Sequence, residues 1–158
     1  MEHQDNTAPT NKTKTMNFLA KNELEMELSE IHSKELVHIE GTTETPEILM
    51  DKVEGKFKFA GRSLPENPKT FYASVKSWLA VYIENPCEYT HVTFMYDYFN
   101  TASSKVIMEI IDMLKEVEKR NGKLIIDWYY HEDDDDMLEA GEDFAAVTET
   151  EFNYHSYY

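Results

Sequence analysis

The chain has 158 residues, 41% hydrophobic and 13% aromatic, enough for one domain with a sizeable core. Its 31 acidic residues against 15 basic ones give a formal net charge of −16, which repels nucleic acid and anionic lipid and suits a basic partner surface. Cys87 is the single cysteine, excluding an internal disulfide and any cysteine-based zinc cluster; no apolar run spans a bilayer and no signal-peptide core opens the chain, so a cytoplasmic location is expected.

Residues 1–35 read as a polar extension, disordered or partly helical. Within it Asn17 to Ile31 is a Glu-rich helix candidate with a thin apolar face of Leu19, Leu24, Leu28 and Ile31, and Met16 is an alternative start. Globular character begins near Leu36, and residues 36–158 are read as the domain proper. Leu36 to Glu40 and Glu47 to Met50 are short extended candidates. Gly55 separates the second from Lys56-Phe57-Lys58-Phe59-Ala60, whose alternation is that of a half-buried strand, so residues 47–60 are expected to form a hairpin. Asn67-Pro68 opens a helix as cap and first helical residue. Phe71, Tyr72, Val75, Trp78, Leu79 and Tyr82 form its apolar face, and Asn85-Pro86 stops it.

His91 to Tyr98 is rich in β-branched and aromatic residues and reads as a buried strand. A helix from about 102 to 120 follows, with Val106, Ile107, Ile110, Ile111, Leu114 and Val117 on one face and Lys119-Arg120-Asn121-Gly122 as its stop. Leu124 to Tyr130 is the next buried strand, Asp133 to Ala146 a third helix, and Glu151 to Tyr154 a last edge strand. The alternation predicts an α/β fold: a mixed, mainly parallel sheet of about five strands with three helices and right-handed crossovers.

The junction Tyr98-Phe99-Asn100-Thr101-Ala102-Ser103-Ser104-Lys105 stands out. It places hydroxyls and free N–H groups at a helix N-terminus beyond the carboxyl end of a strand, where the helix dipole favours negative charge and a phosphate would be held. Helix capping explains one of these residues. It does not explain four, and no Glu or Gln follows Thr101 at the spacing of a capping box.

Two other features invite functional readings. The run Glu132-Asp133-Asp134-Asp135-Asp136 offers oxygen ligands for a divalent cation, yet lacks the alternation and central glycine of a calcium loop and equally suits a helix N-terminus. Asp97 and Asp127 near strand ends, with His131, are candidates for acid–base chemistry in a strand-end cleft. No nucleotide-binding or nucleophile-elbow glycine motif is present.

Thr45-Pro46-Glu47-Ile48, Gly61-Arg62-Ser63-Leu64-Pro65-Glu66-Asn67, the Tyr98–Lys105 junction and Asp127-Trp128-Tyr129-Tyr130, in this order, resemble the SiaC family of bacterial regulatory phosphoproteins. The resemblance covers residues from about 36 to the C-terminus and implies a STAS-like fold related to anti-anti-sigma factors. It implies a non-enzymatic switch, modified on threonine by a cognate serine/threonine kinase, reset by a PP2C-type phosphatase, and binding a diguanylate cyclase when unphosphorylated. The family threonine corresponds to Thr101, with Ser103 and Ser104 as fallback acceptors and Asn100, Thr101, Ser103, Ser104 and Lys105 as the partner-binding stretch. Ala102 stands where the motif has serine, and Leu64 where an aromatic residue is frequent. The resemblance implies no cofactor or metal.

Overall fold

A computed structural model describes residues 11–158; the first ten residues of the polar extension lie outside it. Six strands form one sheet in sequential order: β1 (Leu36–Ile39), β2 (Glu47–Asp51), β3 (Lys56–Ser63), β4 (Tyr89–Phe99), β5 (Lys123–His131) and β6 (Phe152–Tyr157). The first three strands pair antiparallel, and β3–β4, β4–β5 and β5–β6 pair parallel. The sheet is thus mixed, with one strand more than the five anticipated, and the 47–60 hairpin is present with Ile48 opposite Phe59.

Three parallel crossovers step in one direction. Their common right-handedness places the connecting helices α3 (Ala73–Glu84), α4 (Thr101–Lys119) and α5 (Asp135–Thr148) on one side of the sheet. Ile48, Met50, Phe57, Phe59, Val92, Phe94, Tyr96, Ile126 and Trp128 face that side and share a single core with the helices. Aromatic contacts fix its centre: Trp78 lies parallel to Tyr82 at 5.6 Å, and Phe57 meets both edge-on. The opposite face carries the alternate residues, among them Lys58, His91, Thr93, Asp127 and His155.

The helix expected from Pro68 is divided into α2 (Pro68–Phe71) and α3 at Tyr72. The interruption is one residue wide, because Tyr72 N–H still bonds Pro68 O and Lys76 N–H bonds Tyr72 O, each at 2.9 Å. At the end of α4 the left-handed position falls on Asn121, at φ 65°. The acidic run does what a helix start rewards: Asp134 caps α5 by accepting from Met137 N–H at 3.0 Å, and Asp135 and Asp136 lie in the first turn.

Part of the N-terminal extension is helical: α1 (Asn11–Ser33) is longer than the 17–31 segment anticipated. Its end is anchored on α3. Ile31 packs against the core, His32 Nε2 lies 2.6 Å from Ser77 Oγ, and Trp78 Nε1–H donates to Lys34 O at 3.0 Å. Among the described residues no helix is long and apolar enough to cross a membrane.

Candidate functional site

The carboxyl end of β4 delivers the chain to the start of α4. Asn100, in extended geometry, caps the helix through its side-chain oxygen, which accepts from Ser103 N–H at 2.9 Å. Ser104 N–H bonds Asn100 O at 2.9 Å, the first turn of the ladder. Thr101 is therefore the first helical residue. It is exposed, as are Ala102 and Lys105, while Asn100 and Ser104 are half-buried. Among the described residues no hydrogen bond engages the Thr101 hydroxyl or the N–H groups of Thr101 and Ala102. No acidic side chain stands in that first turn, so the positive end of the helix faces solvent without a compensating carboxylate of its own.

Ser103 is placed quite differently. It is fully buried, donating to Ser63 O at 2.8 Å and accepting from Ser63 Oγ at 2.9 Å. Ser63 Oγ lies 2.8 Å from Tyr72 Oη, which lies 3.3 Å from Tyr96 Oη. Burial raises the pKa of both tyrosines, of Tyr96 well above the usual range, so they act as neutral hydroxyls. The chain of four hydroxyls joins β3, the α2–α3 junction, β4 and α4 beneath the exposed threonine. Ser103, expected as a fallback phosphoacceptor and contact residue, is thus buried, and its hydroxyl ties α4 to β3.

Ser63, Tyr72 and Tyr96 were not singled out from the sequence, Tyr72 being read as plain core. A signal existed, since alternation from Phe57 and Phe59 carries Ser63 to the inward face, where a polar group needs a partner. The Gly61–Asn67 motif is what brings it there. Gly61 sits at φ 92° where the β3–β4 register shifts by one residue, a bulge that a side chain would strain. Past the bulge Arg62 covers the ring of Tyr98 at 5.4 Å. An open groove between α2 and α4 borders the same site, with both acidic and basic residues in its lining: Glu66, Asn67, Lys69, Ala102, Lys105 and Glu109.

The carboxylates proposed for acid–base chemistry are not brought together. Asp127 pairs in register with Thr93, and Asp97 lies four residues further along β4, roughly 13 Å at strand rise. Asp127 is instead enclosed on the open sheet face by His91, His155 Nε2 at 2.8 Å and Asn153 Nδ2 at 3.2 Å. Partial burial pushes its carboxyl up, but hydrogen bonds from His91, His155 and Asn153 together outweigh this and hold it below the usual aspartate range. His131 meets Tyr157 edge-on at 5.8 Å and accepts from Asp133 N–H at 3.3 Å. Among the described residues no group of three His, Cys, Asp or Glu is placed to hold a metal ion.

Residues 39–157 match the family described as SiaC family regulatory phosphoproteins. An uncharacterised protein of Pseudomonas aeruginosa is 29% identical over 108 residues, covering 68% of this chain and 86% of its own. Among solved structures, SiaC of Pseudomonas aeruginosa superimposes with a TM-score of 0.70 at 26% identity, over 78% of this chain and all of its own. The SiaC chain in the crystal structure of the diguanylate cyclase SiaD with its activator SiaC, from the same organism, gives a TM-score of 0.71 at 26% identity, over 77% and 99% of the two chains.

Proposed function

Since the chain belongs to the SiaC family of regulatory phosphoproteins, we propose that it is a cytoplasmic binding module that engages a diguanylate cyclase while Thr101 is unphosphorylated and releases it when a cognate serine/threonine kinase phosphorylates that residue. A PP2C-type phosphatase resets it, and the chain catalyses no reaction itself. The observation that carries the reading is Thr101, an exposed hydroxyl at the first position of α4 with the cap already supplied by Asn100. A phosphate there meets two free N–H groups and the positive helix end, so the domain tolerates it. A partner surface fitted to a neutral hydroxyl does not, because it must desolvate a group of nearly two charges.

The sheet supports a binding role over a catalytic one. Its parallel strands follow one another without reversal, so it lacks the strand-order switch at which open α/β sheets form ligand crevices. The relative's complex supports a cyclase as partner, SiaC there being the activator of SiaD. Thr101, Ala102, Ser104 and Lys105, with the groove along Lys69, form the contact surface in this reading.

The test is phosphorylation by the cognate kinase, peptide mapping, and titration of the cyclase with both forms. One phosphate on Thr101 and affinity weakened about a hundredfold, some 3 kcal/mol, are expected. Thr101→Ala should resist modification and keep binding; Thr101→Asp, with one charge, should weaken binding less than the phosphate does. Equal affinity of both forms would overturn the switch.

A further inference from the structure

The helix α1 projects from the domain with its large apolar side chains in solvent. Met16, Phe18, Leu19, Leu24 and Met26 are all more than half exposed, Met26 at 73%. A helix of 23 residues is about 35 Å long, and such a segment draws most of its stability from packing an apolar face, which these five residues do not do within this chain. The match to the SiaC family begins at residue 39, so α1 lies outside the segment on which the switch reading rests.

Charge along α1 is segregated. Lys12, Lys14 and Lys21 occupy the first half with no acid among them, and Glu23, Glu25, Glu27 and Glu30 the second half with no lysine. This order opposes the helix dipole, which favours anions at the N-terminus and cations at the C-terminus. Lys21–Glu25 at 3.8 Å and Glu30–Lys34 at 3.9 Å are exposed ion pairs, too weak to offset the arrangement. A second α1 laid antiparallel sets basic half against acidic half at both ends, adds a dipole of opposite sense and covers Met16, Leu19 and Met26, which share one side of the helix, while Phe18 and Leu24 project elsewhere. A parallel copy sets like charges together.

We propose that α1 is a self-association helix, and that two copies of this chain pair through antiparallel α1 segments to present two domains on one dimer. Two helices of this length bury less than a standard protein interface, so the dimer is of micromolar strength.

Sedimentation equilibrium of the full-length chain tests this, with near-UV circular dichroism of Trp78 and Trp128 confirming that every variant keeps its domain folded. Wild type should shift from the 18.5 kDa monomer to twice that mass as concentration rises. The pair Lys12→Glu with Lys14→Glu, and separately Glu27→Lys with Glu30→Lys, should each weaken association tenfold or more. An equal mixture of the two variants should restore the dimer, because each now complements the other. A wild type still monomeric at about 300 µM, far above a micromolar constant, would overturn the proposal. So would variants that associate as tightly as wild type, or a mixture that stays monomeric.

Discussion

A step of two residues turns an α-helix by about 200°, and on α4 that rotation separates Thr101, exposed, from Ser103, fully buried. The same hydroxyl chemistry therefore supplies a reachable group and a tie between α4 and β3. Asp127 is a second residue whose role follows from its neighbours. Its carboxyl is held below the ordinary aspartate range in the folded chain, so it contributes stability that is present above about pH 4 and lost as pH falls through its lowered native value. Asp127→Asn should thus be less stable than wild type at pH 7 in urea unfolding, by about 1 kcal/mol for hydrogen bonds lost from a charged acceptor. The difference should shrink by pH 3. A difference independent of pH would show that the carboxylate charge plays no part.

At the scale of elements, α5 approaches β5 closely at Gly141. A β-carbon on Gly141 would lie 2.6 Å from Trp128 Nε1 and 2.7 Å from its Cδ1. The indole cannot yield, since Trp128 is fully buried among Phe94, Phe99, Phe144 and Phe152 and donates to Met137 O at 3.0 Å. Alanine gains up to about 1 kcal/mol of helix propensity over glycine, while overpacking costs about 1–3 kcal/mol. Gly141→Ala should therefore lower the melting temperature and alter the near-UV signal of Trp128. A variant melting at or above wild type would show that α5 can shift away.

At the scale of the molecule, sequential strand order leaves one sheet face without helices, and that face meets water with polar pairs of its own: the ion pair of Glu47 with Lys58 at 2.8 Å, and hydrogen bonds between Glu47 and His38 at 3.2 Å and between Asp127 and His155 at 2.8 Å. The N-terminal helix is attached at its last turn, and we propose on that ground that residues 36–158 are a separable unit. A chain begun at Leu36 should fold. It removes the cover given by Ile31 and the Lys34 carbonyl that accepts from Trp78, so a loss of about 1–3 kcal/mol is expected in chemical unfolding. Failure of that chain to fold cooperatively would make α1 part of the domain.

The sequence by itself determined the order of elements, the hairpin, the cap at Asn67, and a cluster of capping residues at Asn100–Ser104 from which the structure selects Asn100. Each of these is a local property: periodicity and cap chemistry act within one or two turns and leave their mark on neighbouring residues. The tertiary structure alone decided the rest. That Ser103 reaches Ser63, forty residues away, that Tyr72 and Tyr96 continue the chain of hydroxyls, and that Asp127 lies between His91 and His155 all depend on which strands become neighbours. So does the separation of Asp97 from Asp127. Strand pairing is a choice among long-range contacts, and residue type does not encode it locally.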